Sequence, residues 1–336
     1  MTLSKKPDYD TLPINKTTIR EQYDRLRKKT LIRLLVCYIA PLILLSIYFH
    51  LQFTITLTES SKSHLKSLAE SQRNTIDLFL QERVVNLSNL LGSPQFVIPP
   101  TDKDMENYLK KLQRDSPTFV DLGFFNTEGI HIAYAGPYPF LKKKNYCNES
   151  WFISLMKGDR EYIISDMYLG FRKKPHFTIA VVREVKGELW ILRATVNPVR
   201  FSDFINTMES ASDVYTFIVN SQGRYQSVPE QLGKVLETSD YIPPLLPNGG
   251  TEEVTTHGET YLSAYCWLRQ VNWCLVVLQP VKVAYATMYR TRFIIIALSL
   301  VFMTIIVAVI LFTTKRLVAH LEETDLAKED LQRQLF

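Results

Sequence analysis

Two long apolar runs divide this chain, and each fixes what its surroundings can become. The first covers residues 31–53 and is broken only by Arg33 near its start and His50 near its end. The second, Phe293 to Phe312, carries no charged residue. A hydrocarbon core of about 30 Å is crossed by about 20 helical residues, so both runs are long enough to span a bilayer. The first exceeds the apolar core of a secretory signal, follows a long polar stretch and precedes no small-residue cleavage site, which predicts an anchor. Pro41 inside it is tolerated in a membrane helix. Between the runs lies a segment of ordinary globular composition, the expected layout of a receptor.

Charge sets the expected orientation. Lys5, Lys6, Lys16, Arg20, Arg25, Arg27, Lys28, Lys29 and Arg33 flank the first run, which places the N-terminus inside the cell by the positive-inside rule. Lys315 and Arg316 follow the second run and agree; Arg290 and Arg292 on its other side are outnumbered. The net charge of +5 comes mainly from the N-terminal tail and has no nucleic-acid signature. Lys142–Lys144 and Arg172–Lys174 read as solvated loops. Cys37 lies in the first run, leaving Cys147, Cys266 and Cys274 outside. The last two flank a tight hairpin, either as a disulfide or as two buried thiols. No Cys or His spacing suggests a metal, and no nucleotide-binding, nucleophile-elbow or zinc-protease motif is present.

The outer segment opens with a helical pattern. Leu65, Leu68, Ile76, Phe79, Leu80, Leu87 and Leu90 keep near-helical spacing, and nothing breaks the stretch before Gly92-Ser93-Pro94. Short strands and turns follow. Phe119–Phe125, then Asn126-Thr127-Glu128-Gly129, then Ile130–Tyr134 predicts a hairpin; Val214–Val219, Asn220-Ser221-Gln222-Gly223 and Arg224–Gln226 repeat the arrangement. Each half also closes on a long hairpin, Phe177–Glu184 with Leu189–Val196, and Thr260–Leu268 with Trp273–Leu278. This duplication predicts an α+β fold of two lobes, each with an antiparallel sheet.

With these elements the chain resembles the double Cache domain, an extracytoplasmic sensor of bacterial receptors. The long first helix, two PAS-like lobes, and a last strand feeding the second apolar run all fit. Trp151-Phe152 and Ile164 to Arg172 match motif positions of the membrane-distal lobe. The resemblance implies a basic cytoplasmic tail at 1–30, a membrane helix at 31–53, and a sensor domain at 54–292. That domain comprises a long helix (54–91), a distal lobe (92–198) and a proximal lobe (199–292). A second membrane helix at 293–312 and a cytoplasmic coiled-coil-like linker at 313–336 complete the layout.

The resemblance also places a ligand in the distal lobe. In amino-acid-binding members an Arg-x-Trp-Tyr element grips the carboxylate, and an Asp four residues before a Gly takes the ammonium. Trp151, Asp166 and Gly170 match, but Phe152 replaces the Tyr and Glu149 stands where the Arg should be, so amino-acid recognition does not carry over whole. The residues themselves suggest a pocket: aromatic walls with a few polar groups are typical of small-molecule sites. Tyr134, Tyr146, Glu149, Trp151, Phe152, Asp166, Tyr168, Arg172 and Arg193 are the candidate ligand-binding residues. Trp151 and Phe152 serve equally as plain core, and Asp166 equally as half of a structural ion pair. Arg193 interrupts an apolar run and needs an acid, either Asp121 or an anionic ligand. Two acids beside aromatics favour an amine ligand with cation–π support from Trp151; the arginines keep a carboxylate as the alternative.

Past the second run, Leu317, Leu321, Leu331 and Leu335 form a short helical seam. It is similar to the linker leading into the dimerisation helix of sensor histidine kinases. The chain stops at Phe336 in mid-pattern, as expected for the input half of a longer receptor. The resemblance implies a two-pass, homodimeric protein of the bacterial inner membrane with both termini cytoplasmic, sensing a small molecule for a two-component histidine kinase and its response regulator. A chemoreceptor, a cyclic-dinucleotide enzyme or a stand-alone binding protein are the alternatives. No cofactor is expected in this chain, with ATP and Mg entering only if a kinase domain follows.

Overall fold

The computed structural model describes residues 16–157, 160–208, 213–256 and 258–335. Lys5, Lys6, His257 and Phe336 lie outside them, and the side chains of Lys16, Arg20, Glu329, Asp330, Arg333 and Leu335 are likewise not described. The chain divides into two compact units, one of the described residues up to Thr58 and from Ala286 onward, the other of Glu59–Tyr285.

The first unit contains two helices. Helix α1, Lys16–Gly92, contributes its first part here and the rest to the second unit; α6 is Ala286–Leu335. Within this unit Tyr23 donates to Asp325, the Ser46 and Ser299 hydroxyls meet at 3.3 Å, and Thr58 lies 3.8 Å from the Met288 sulfur. Low numbers pair with high ones throughout, so the helices run antiparallel. Both are long and apolar enough to cross a membrane by length and composition. Leu44, Phe49, Phe293 and Leu298 turn apolar side chains outward.

The second unit is α+β. Within it α1 buries Leu65, Ala69, Gln72, Ile76, Leu80, Val84, Leu87 and Leu91, a three-and-four spacing that keeps one face against the protein. Then come α2 (Asp102–Asp115), β1 (Phe119–Phe125), β2 (His131–Ala135), α3 (Ser150–Met156), β3 (Tyr162–Ile164), β4 (Phe177–Val185) and β5 (Glu188–Val196). Helix α2 starts on a capping box, in which the Thr101 hydroxyl accepts from the Asp104 amide at 3.2 Å and the Asp104 carboxylate from the Thr101 amide at 2.9 Å. Helix α4 (Pro198–Asn206) joins the lobes, capped by the Asn197 side chain with Pro198 in its first turn. The second lobe follows with β6 (Tyr215–Asn220), β7 (Tyr225–Ser227), β8 (Gly250–Thr256), β9 (Glu259–Trp267), β10 (Trp273–Pro280) and α5 (Val281–Ala284).

The two sheets repeat one topology. Their strand orders are β2-β1-β5-β4-β3 and β7-β6-β10-β9-β8, all neighbours antiparallel. Each opens on the expected Asn-to-Gly turn, with Gly129 at φ 78° and Gly223 at φ 76°, a region that favours glycine. The Asn126 side chain accepts from the Ile130 amide at 2.9 Å and the Asn220 side chain from the Arg224 amide at 2.9 Å. Cys266 and Cys274 are free and buried. Cys274 is paired with Trp267 and Cys266 with Leu275, so the two cysteines are not cross-strand partners.

Candidate functional site

Strand alternation builds one face of the distal sheet from an unusual mixture. Along β1 it presents Asp121, Gly123 and Phe125, which pair with Thr195, Arg193 and Ile191 of β5. Strand β4 adds Thr178, Ala180 and Val182 opposite those same β5 residues. Helix α3 covers this face with Trp151, Phe152 and Leu155, and the preceding loop adds Tyr146; all four are buried. Tyr168 packs against the same cluster and shares a 3.2 Å hydrogen bond with Thr178.

Arg193 sits in the middle, 1% exposed. Its guanidinium carbon lies 4.9 Å from the centre of the Tyr146 ring, 5.1 Å from Phe125 and 5.8 Å from Trp151. These rings supply cation–π attraction, and the Tyr146 hydroxyl also hydrogen-bonds the Arg193 guanidinium. The nearest acid, Asp121, is already committed: its Oδ2 lies 2.5 Å from Arg172 Nη2 and accepts from the Tyr134 hydroxyl at 3.1 Å. Asp121 Oδ1 stays 4.0 Å from Arg193 Nη2. Arg193 Nε and Nη2, Asp121 Oδ1 and Trp151 Nε1 find no hydrogen-bond partner among the described residues. Two buried arginines therefore share one buried carboxylate.

His131 completes the arrangement. It faces Phe125 across the β1–β2 pair and stacks on it at 4.4 Å. Its Nδ1 lies 2.9 Å from the Leu141 carbonyl, an acceptor, so Nδ1 carries the proton and Nε2 presents a lone pair. Nε2 has no partner among the described residues. Burial, then the Arg193 charge, holds the imidazole neutral with its pKa down to about 3. Gly123 makes room for the ring, since a Cβ there would come within 2.4 Å of Nε2. Burial raises the Glu149 carboxyl pKa, opposed by Arg193. Burial and then Asp121 raise that of Tyr134.

The proximal lobe shows the same fold without the site. Aligning the Asn126 and Asn220 turns puts Tyr215, Phe217, Val219 and Val276 where the distal lobe has Asp121, Gly123, Phe125 and Arg193. Phe217, Val219 and Val276 are buried with Tyr225, Tyr261 and Tyr265 in a continuous core. One copy of the duplicated sheet is packed with apolar and tyrosine side chains; the other keeps charge.

Of the sequence-predicted residues, the structure gathers Tyr134, Tyr146, Trp151, Phe152, Tyr168, Arg172 and Arg193 on this face, with Glu149 at the start of α3. Asp166 lies elsewhere. Its carboxylate accepts from the Trp273 indole at 2.7 Å and from the Asn220 amide at 2.8 Å, both in the proximal lobe. Beside it the Gln226 side chain accepts from the Met167 amide at 2.7 Å, and Tyr162 donates to Gln270 at 2.8 Å. A cleft of about 420 Å³ opens here, lined by Lys157, Arg160, Asp166 and Gln270 among others. Sequence reasoning passed over Gly123 and His131 because their meaning lies across the strands; comparing the two repeats position by position would have marked Gly123. Among the described residues no cluster of His, Cys, Asp and Glu is arranged to hold a metal ion.

The profile of the Cache domain matches residues 53–288. The chain belongs to the Cache domain family. Solved structures with a similar fold include extracellular and ligand-binding domains of other proteins. An extracellular domain assigned to a histidine kinase, rpHK1S-Z16, aligns with a TM-score of 0.55 at 16% identity, covering 67% of this chain and 96% of that one. The ligand-binding domain of the Pseudomonas fluorescens chemoreceptor CtaA, bound to L-isoleucine, aligns with a TM-score of 0.54 at 16% identity, covering 69% and 97%. That of the Pseudomonas aeruginosa PAO1 amino acid chemoreceptor PctC, bound to GABA, gives 0.51 at 16% identity, covering 65% and 98%. At such identities the likeness speaks for the fold alone. No curated protein matches the sequence.

Proposed function

We propose that this Cache domain is the sensing module of a two-pass bacterial membrane receptor, binding a small molecule on the inner face of the distal sheet. One observation carries the reading: of two sheets with one topology, only the distal keeps a buried, incompletely paired arginine where the other has Val276. An uncompensated buried charge is costly and marks a place where a ligand supplies the missing partner. Relatives of the same fold bound to L-isoleucine and GABA support a small organic ligand.

The two apolar helices anchor the protein at 31–53 and 293–312, with the 54–292 domain outside and both termini in the cytoplasm. The first-ranked output is a two-component histidine kinase acting as a homodimer on a response regulator, using ATP and Mg in a kinase domain. The likeness to rpHK1S-Z16 and the exposed Leu317, Leu321 and Leu331 of α6 support it. A chemoreceptor output is the second reading, supported by CtaA and PctC. The signal route runs through residues 164–172. That segment carries Tyr168 and Arg172 toward the site and Asp166 toward Trp273, the first residue of β10. Strand β10 continues into α5 and α6, so a ligand preferring one position of the segment biases the exit helix by its differential affinity.

Thermal unfolding of the full chain in lipid nanodiscs, screened against pooled amines, carboxylates and amino acids, tests the proposal. A compound that raises the melting temperature of the native protein and of Val276→Ala, but not of Arg193→Gln, supports it. Stabilisation kept in Arg193→Gln and lost in Val276→Ala would move the site to the proximal lobe and overturn it.

A further inference from the structure

The polar atoms left unpaired in the distal site describe their own ligand. Three donors lack acceptors: Arg193 Nε, Arg193 Nη2 and Trp151 Nε1. Two acceptors lack donors: His131 Nε2 and Asp121 Oδ1. These groups are close together, because Arg193 and His131 both lie against the rings of Phe125 and Tyr146. Side chains this deeply buried are normally satisfied, so five unpaired atoms in one cluster call for a group that is both acceptor and donor.

Charge narrows the choice. Arg172 and Arg193 face a single fully buried acid, Asp121, leaving one positive charge without a counter-ion in the interior. A ligand amine would add a further cation beside two guanidiniums, while the Asp121 oxygen nearest Arg172 is already taken. A carboxylate answers Arg193 instead, and a hydroxyl next to it answers the lone pair of His131. The neutral hydroxyl suits that imidazole better than an ammonium, which would sit in the field of both arginines.

We propose that the distal site binds a small 2-hydroxy carboxylate, its carboxylate on Arg193 and Trp151 Nε1 and its hydroxyl donating to His131 Nε2. This assignment rests on the reading of the distal lobe as the sensing site. It reverses the preference for an amine that the sequence alone suggested, because Asp166 turns to the proximal lobe and Glu149 is opposed by burial. It also sets this site apart from one built for an amino acid: the chain offers the ligand an incompletely paired arginine and a neutral histidine, and its one buried acid, Asp121, already holds Arg172.

Glycolate, lactate and 2-hydroxybutanoate, each paired with its 2-amino analogue and with the matching simple amine, test the proposal by thermal shift on the full chain in nanodiscs. The expected result is a melting temperature that climbs with the logarithm of hydroxy-acid concentration for at least one of the three, at least tenfold weaker binding of its amino analogue, and no response to amines. The wild-type comparison requires no variant to fold. Arg193→Lys is expected to weaken the hydroxy acid strongly, and His131→Phe to remove the preference for it over the plain fatty acid of equal length. Stabilisation by amino acids or amines in place of hydroxy acids, abolished by Trp151→Ala, would overturn the ligand class and keep the distal site. Stabilisation that survives Arg193→Lys and Trp151→Ala alike would overturn both. No response to any of the three hydroxy acids at millimolar concentration would also sink the assignment.

Discussion

His131 and Arg193 show how far the site is set by single residues. Burial, then Arg193, pushes the pKa of His131 down to about 3; burial, then Arg172, pushes that of His176 down to about 4. The unfolded chain takes up protons at both near pH 6.5, whereas the folded chain stays neutral until far lower. Between those limits unfolding consumes protons, so stability rises with pH and is lost as pH falls below about 6.5. Each histidine contributes a slope of about 1.4 kcal/mol per pH unit in that window. Urea midpoints of the full chain are expected to drop steadily from about pH 7 to about pH 5, and His131→Phe to reduce that drop. A midpoint insensitive to pH there would mean that the folded imidazoles take up protons over the same range as the unfolded ones. Arg193 was legible in the sequence as a charge inside an apolar run. His131 was not: its role depends on the β1–β2 pairing, which shifts register between Phe124 and Phe125, and on the room left by Gly123.

At the scale of elements, the hairpins were legible because their turns demand particular residues. The Asn and Gly of both opening turns do what the sequence suggested, one capping amides and the other taking a positive φ. Helix α2 and strand β8 were missed. Helix α2 buries only Met105, Leu109 and Leu112 among polar residues, and β8 is an edge strand rich in Thr and Glu. Asp166 was legible as a carboxylate needing partners, but the partners sit in the other lobe, beyond any local pattern. Replacing Asp166 by Ala leaves the Trp273 indole and the Asn220 amide without this acceptor. The expected cost is about 1–3 kcal/mol in urea unfolding, with Trp273 fluorescence altered and hydroxy-acid binding retained but uncoupled from β10. Unchanged stability would show that the contact does not join the lobes. The hairpin joining β9 and β10 is anchored separately, since Asp77 accepts from the Arg269 and Gln270 amides at 2.9 and 3.2 Å.

Across the whole molecule, duplication and division of labour are the main features. A single sheet topology appears twice, once as a filled core and once as a charged site, and the filled copy carries the strand that continues toward α6. The two apolar runs were the plainest signal in the sequence, and both form long helices. The expected orientation has its own check, because Cys147 is exposed and Cys266 and Cys274 are buried. A membrane-impermeant maleimide should label Cys147 in intact cells, and should label Glu322→Cys only after permeabilisation; the opposite pattern would invert the topology. The most direct measurement is hydrogen–deuterium exchange of the full chain in nanodiscs with and without saturating 2-hydroxy acid. The account predicts protection at residues 146–155, 164–172 and 190–195, with the core strands of the proximal lobe unchanged. Protection centred on the proximal lobe, or none at all, would contradict it.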